Sequence, residues 1–326
     1  MPFDFATIQA PFRMQPGLRR LDTGAAQLTP ARLDSHHLRE KLAVLTLHAG
    51  DALLASPGFD ATPALHALAR HAAREHPEAF VWNGREVFTA PWLGWSLGDD
   101  GSGRADAVEG FAPPTHHGSR STDIGHCLNA LPPAWRLAGL LSLAFEEDFA
   151  VIDGASARIP WLAVCLPSHW SPADKIGRHF GEVHAPVADN TLLVKAGEHL
   201  ARLVTGDDPW ERFVWTITRQ SALDTHPDRR PVLAWPEEAE TGAAFASQAF
   251  FRTERQTFIP LPSRRQAVFT IHVEVQPLAQ AIASSERAAQ VHDALASMSS
   301  AVLAYRGLAP ARDWLLAWLQ SRMASR

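Results

Sequence analysis

The chain has 326 residues, 46 % of them hydrophobic and 20 % charged, with a formal net charge of −5. That is enough apolar material for a large core in one large or two ordinary domains, and no charge excess that would favour nucleic acid or an anionic membrane. Two cysteines, Cys127 and Cys165, exclude a disulfide scaffold and make a reducing compartment the default. Sixteen histidines can titrate or ligate near neutral pH. Eleven tryptophans against one tyrosine fit large apolar pockets or a tryptophan-rich core equally well. No run approaches the ~20 apolar residues that span a bilayer. The first residues carry no charged-then-apolar leader, so the expectation is a soluble, cytoplasmic protein.

In chain order, residues 1–32 read as an extended arm punctuated by Pro11, Pro16, Gly17 and Pro30. A helix is predicted from Asp34, capped by Asp34 or Ser35, with Leu38, Leu42 and Leu45 at helical spacing. A second begins at Thr62-Pro63, with Thr62 as cap and Leu65 and Leu68 on one face, and ends near His76-Pro77. Residues 82–134 are poor in regular signals, and Gly98–Gly103 and Ala112–Ser119 read as surface loops. Strands are predicted at Leu143–Ile152, Trp161–Cys165, Phe213–Thr218, Ala246–Phe258 and Ala267–Val275. The last alternates, with Val268, Thr270, His272 and Glu274 on a polar face and Phe269, Ile271, Val273 and Val275 on an apolar one. A helix from Pro277 to about Tyr305 and a short amphipathic one at Asp313–Met323 follow. The reading is a single α+β domain over 1–326. Residues 1–135 form a helical, loop-rich part, and 136–326 hold a five-stranded, mostly antiparallel sheet with a helical insertion and C-terminal helices.

Three constellations carry chemistry. Cys165 to Asn190 packs a thiol and the histidines His169, His179 and His184 into one loop-and-helix segment, with His184 leaving a short helix just before Ala185-Pro186. One ring nitrogen there could meet a metal. The four side chains could instead hold a structural zinc, although the middle gap is short, or His184 could simply be a buried histidine bonded to a backbone carbonyl. In FFRTERQTFIPLP (Phe250 to Pro262), Arg252, Glu254 and Gln256 alternate with Thr253, Arg255 and Thr257. The guanidinium forks suit carboxylates of a ligand, or cross-strand ion pairs on an exposed strand. In AFEEDFAVIDG, Glu146, Glu147 and Asp148 could hold a cation or move a proton, or mark a solvated edge. The glycine-rich signatures for phosphates and dinucleotides and the serine nucleophile elbow are missing.

Several segments together resemble the haem-dependent oxidative N-demethylase α-subunit-like family. They are PFRMQPGLRRLD (Pro11 to Asp22), LREKLAVL (Leu38 to Leu45), EEDFAVID, CLPSHWSPADKIG with HAPV, and FRTERQTFIPLP with AVFTIHVEV. The pairing of HAPV with RTERQT is the specific part. The resemblance implies a PAS-like antiparallel sheet, with N- and C-terminal helices packed around it, that binds haem b. It implies oxidation of a small secondary amine such as dimethylamine, with O2, to a primary amine and formaldehyde. Electrons would come from NADPH through a separate reductase subunit, and a folate-binding subunit would take the formaldehyde. Carried onto this sequence, His184 becomes the axial iron ligand, and Arg252, Arg255 and Lys175 become partners of the haem propionates. Glu254, Asp148 or Glu147 would contact the amine or relay protons. A PAS-like haem or ligand sensor without turnover is the other reading. The chain departs from the family pattern at Val214, before Trp215, where an asparagine is expected, and at Ser263-Arg264-Arg265, where small residues are expected. Both departures bear on the substrate.

Overall fold

The computed structural model describes residues 3–85, 87–98, 100–105, 118–236 and 242–324. The N-terminal arm contributes a 3-10 turn at Phe5–Thr7, capped by Asp4, and a two-residue strand, β1 (Arg19–Arg20). Ser35 then caps α1 (His36–Leu47), its Oγ accepting the Leu38 N–H at 3.1 Å. A turn of helix, α2 (Ala49–Ala52), leads into β2 (Leu53–Ala55). In α3 (Thr62–Glu75) the predicted cap shifts by a position: Ala61 is the cap, and Asp60 Oδ1 accepts the Thr62 N–H at 2.9 Å.

The expectation that 82–134 lacks regular structure is corrected. Four short strands, β3 (Val81–Trp82), β4 (Val87–Ala90), β5 (Trp95–Gly98) and β6 (Gly103–Ala105), form a separate antiparallel sheet in that order. Helices α4 (Gly118–Ala130) and α5 (Pro133–Ala144) follow. Strands of two to four residues are too short to show a period of two. The run from Ala138 to Ala144 in α5 is buried throughout, so it shows no amphipathic stripe. Gly98–Gly103 is the turn between β5 and β6, with Gly101 at φ +75. Residues 112–117 of the other predicted loop lie outside the described residues.

Next come β7 (Asp148–Asp153), β8 (Arg158–Ala163), and an insertion of α6 (Phe180–His184), α7 (Thr191–Lys195) and α8 (Gly197–Val204). Then follow β9 (Trp210–Thr218), α9 (Gly242–Ser247), β10 (Phe250–Leu261) and β11 (Gln266–Pro277). The large antiparallel sheet runs β1-β9-β10-β11-β7-β8-β2. It has seven strands rather than the five expected, because the added ones span only two and three residues. Two predicted strands start too early, inside the ends of α5 and α9. The single helix predicted from Pro277 to Tyr305 is three: α10 (Leu278–Ala281), α11 (Ser285–Ala296) and α12 (Ser300–Tyr305). Ser284 and Ser299 cap the second and third. The C-terminal helix is α13 (Arg312–Ala324).

The main core joins α1, α3, α5 and the small sheet (Phe88, Trp95, Leu97) to the large sheet (Phe149, Val151, Val268, Ile259). A second core packs α11 and α13 against Trp215, Ile217 and Phe251. The polar face expected to be solvated on β11 is covered as well: Thr270 and His272 are 0 % and 5 % exposed. Thr270 Oγ1 lies 2.7 Å from Thr257 Oγ1 across the strand pair, which satisfies both hydroxyls away from water.

Candidate functional site

Side chains alternate across β10. Phe251, Thr253, Arg255, Thr257 and Ile259 are all buried on one face, while Glu254 and Gln256 on the other keep part of their surface open. The register places Val214 opposite Glu254 and Arg212 opposite Gln256, and both are also only half-buried. An interior strand pair with half-buried polar residues in its middle forms the floor of a cradle, and His184 of the next helix, α6, lies near enough to feel the Arg212 charge.

His184 ends α6, and the helix is built to hold it. His179 Nδ1 accepts the Gly181 N–H at 3.1 Å, and Glu182 Oε2 accepts the His179 N–H at 2.8 Å. This reciprocal box satisfies the first turn of a five-residue helix that could not nucleate alone. Asn190 Nδ2 closes the other end on the Ala185 carbonyl at 2.6 Å. The His184 ring stacks on Phe180 with centroids 4.1 Å apart. Its Nδ1 donates to the Phe180 carbonyl at 2.8 Å, which fixes the tautomer and leaves Nε2 with a bare lone pair. Burial pushes the imidazole down to about 4, against the opposing pull of that carbonyl, so the ring is neutral at physiological pH. A half-buried neutral imidazole with one nitrogen tied to a carbonyl and the other without a hydrogen bond among the described residues is the state that ligates a metal.

Cations surround it. Lys175 and Arg212 both act on the His184 ring electrostatically. Lys175 Nζ donates to the Val183 carbonyl at 3.2 Å, and burial lowers its pKa. Arg212 is half-buried, its pKa lowered by burial and held up by Glu254. Its Nε has no hydrogen-bond partner among the described residues. Leaving a buried guanidinium nitrogen unsatisfied is costly, and an anionic ligand would remove that cost.

Arg252 is almost fully buried and reaches the same face. Its guanidinium donates to Ser168 Oγ at 2.9 Å and to the carbonyls of Ala222 and Leu223 at 3.0 and 2.7 Å. Ser168 in turn donates to Glu254, whose other oxygen accepts from Gln256 at 2.6 Å. The neighbouring His169 holds a left-handed backbone, φ 60, which sets the direction of the loop carrying Ser168.

The structure thus brings together His184, Lys175, Arg252 and Glu254, and adds Arg212. The others lie elsewhere. Arg255 points to the opposite face, pairing with Glu211 at 3.0 Å and donating to the Ala26 carbonyl at 2.7 Å. Asp148, 1 % exposed, accepts the Leu166 N–H at 2.7 Å and lies 3.3 Å from Lys41 Nζ; burial raises its carboxyl. Glu147, also 1 % exposed, accepts the Thr29 N–H at 2.9 Å. Neither acid offers surface to a diffusing substrate. The four-residue zinc reading fails as well, because His179 Nδ1 is spent on the α6 cap. The one metal-compatible group of histidine, cysteine and acidic side chains among the described residues is a different set.

The family model for haem-dependent oxidative N-demethylase, alpha subunit-like, matches residues 125–316. The chain belongs to this family. The matched stretch runs from α4 into α13 and includes His184, Lys175, Arg212, Arg252 and Glu254. Haem dependence therefore comes with the family, and the residues around His184 fit the group: an imidazole nitrogen without a hydrogen bond among the described residues, flanking cations and a half-buried polar sheet face. Sequence reading missed Arg212. The available signal was alternation in Trp210–Thr218, which sets Arg212 on the face opposite Glu211. No helix among the described residues is long and apolar enough to cross a membrane.

Proposed function

We propose that this chain is the haem-binding subunit of a monooxygenase that demethylates a small secondary amine of the dimethylamine type. The observation that carries this reading is the free Nε2 of a neutral, carbonyl-anchored His184 above a half-open sheet face lined with cations. His184 Nε2 would hold the iron of haem b, and Arg212, with Lys175 beside it, would take the propionates. Arg252 is committed to two carbonyls and Ser168, so it fixes the position of Glu254 rather than the cofactor. Glu254 is the acid with accessible surface, suited to hold an ammonium or to pass a proton through Ser168. When bound, haem supplies the O2 chemistry, and the protein sets its ligand, polarity and access. In the overall balance one oxygen atom ends in formaldehyde and the other in water, with two electrons from NADPH. Those electrons come through a separate reductase subunit, and a folate-binding subunit receives the formaldehyde. The α-subunit description of the family supports an assembly of this kind.

The test has two arms. Absorption spectra of the isolated protein, ferric and then reduced with CO, are expected to show a Soret band that His184→Ala shifts or abolishes. An unchanged band in the variant removes His184 from the iron. Formaldehyde release from dimethylamine with O2 and a reductase is expected of the enzyme. A haem spectrum with no turnover of any small amine would leave a sensor instead.

A further inference from the structure

We propose that His37, Glu146 and His272 form a second metal site, for a first-row divalent cation such as zinc. It lies where α1 meets the sheet face opposite the His184 cradle. His37 comes from the first turn of α1, Glu146 from the bend between α5 and β7, and His272 from the middle of β11. One ligand atom from each can be chosen so that all lie within 4.8 Å of one another. His37 Nδ1 is 3.5 Å from Glu146 Oε1, and His272 Nε2 is 3.3 Å from Glu146 Oε2. Tetrahedral zinc with bonds of about 2.1 Å needs ligand atoms roughly 3.4 Å apart, so small side-chain rotations complete the set.

Both rings are already oriented for it. His37 Nε2 lies 2.7 Å from the Val273 carbonyl, so that nitrogen carries the proton and Nδ1 presents a lone pair. His272 Nδ1 faces Glu147 Oε1 at 3.7 Å, the carboxylate–histidine relation found behind metal ligands. His272 is 5 % exposed, and among the described residues its Nε2 meets only the Glu146 carboxylate, at 3.3 Å. The bare Nδ1 of His37 looks at an anionic Glu146 oxygen 3.5 Å away, a pairing that a cation between them would satisfy. Lys41, whose charge acts on both His37 and Glu146, is committed elsewhere. Lys41 Nζ lies 2.5 Å from the Glu147 carbonyl, 3.1 Å from that of Phe145 and 3.3 Å from Asp148. A divalent ion would neutralise Glu146 and Glu147 together. Two imidazoles and one carboxylate suit zinc and its neighbours over calcium or magnesium, with water in the fourth position. His37 precedes the stretch matched by the family model, so the site would tie the N-terminal helix to the catalytic sheet.

The test uses the full chain, both wild type and His184→Ala, so that haem iron is not counted. After chelator treatment and dialysis, zinc is titrated by calorimetry, and cobalt(II) by its visible ligand-field absorption. One equivalent per chain is expected in both proteins, with tetrahedral-type cobalt bands and a raised Tm. Glu146→Gln, which keeps size and hydrogen bonding, is expected to weaken binding at least tenfold. Should His272→Ala fail to fold, the wild-type titration and Glu146→Gln still decide. Absence of stoichiometric binding, or equal binding by Glu146→Gln, overturns the proposal. In that case His272 is an imidazolium held by Glu146 and Glu147, and a proton is the only cation there.

Discussion

A histidine that must ligate metal at neutral pH has to be kept free of protons without being tied up by hydrogen bonds. His184 achieves this by burial on one side and a single carbonyl on the other. The cost appears in acid. The unfolded chain takes up a proton near pH 6.5, while the folded site refuses it until about 4. Stability is therefore present above the unfolded pKa and falls as pH drops through that window, by about 3 kcal/mol for a shift of this size. The haem spectrum of loaded protein is expected to hold from neutral pH to about 5 and to change only toward about 4 and below, as followed by absorbance during acid titration. A transition near 6.5 would mean that the ring is solvated. At this scale the sequence was partly legible. His184 stands out because of the proline after it and its neighbours in HAPV. Arg212 does not, since its role follows from facing Gln256 and Glu254 across a register that no local pattern announces.

Elements were legible where they were long and one-sided. α1, α3 and β11 were read from periodicity, and β10 from its alternating charges. The small sheet was invisible because its strands are shorter than any reliable period, and α5 was hidden because it is apolar all round. α6 is the element on which the site depends most, and it is a single turn held by side chains rather than by propensity. Glu182→Ala removes half of its capping box, at a cost of roughly 1 kcal/mol in that turn. The expected outcome is faster haem loss to a scavenger protein with an unchanged far-UV spectrum. Haem retention equal to wild type would show that Phe180 stacking and Asn190 hold the turn without the box.

For the whole molecule, the largest core decides how the parts behave. Phe88, Trp95 and Leu97 of the small sheet share it with Phe149, Val151 and Val268 of the large one. Neither sheet can expose its apolar face without exposing the other's. Haem-free protein is therefore expected to unfold in one transition, with tryptophan fluorescence and far-UV signals coinciding in a denaturant series. Two separated transitions would make residues before the large sheet an independent unit. The α+β class and antiparallel pairing were recoverable from sequence. The both-sided burial of β11 was not, because alternation of polar and apolar residues reports side-chain chemistry: Thr270 meets Thr257 across the strands, and His272 lies between the carboxylates of Glu146 and Glu147 instead of in water.

The outer flank of β9 has a consequence of its own. β1 covers it for only two residues, and beyond them the Arg306 guanidinium donates to the Trp215 carbonyl while lying 5.6 Å from the Trp215 ring. A stray extended peptide arriving at that flank meets a positive plug already seated in the acceptor it would need. Losing the plug should show first as clumping of concentrated solutions, with each dispersed molecule still sound.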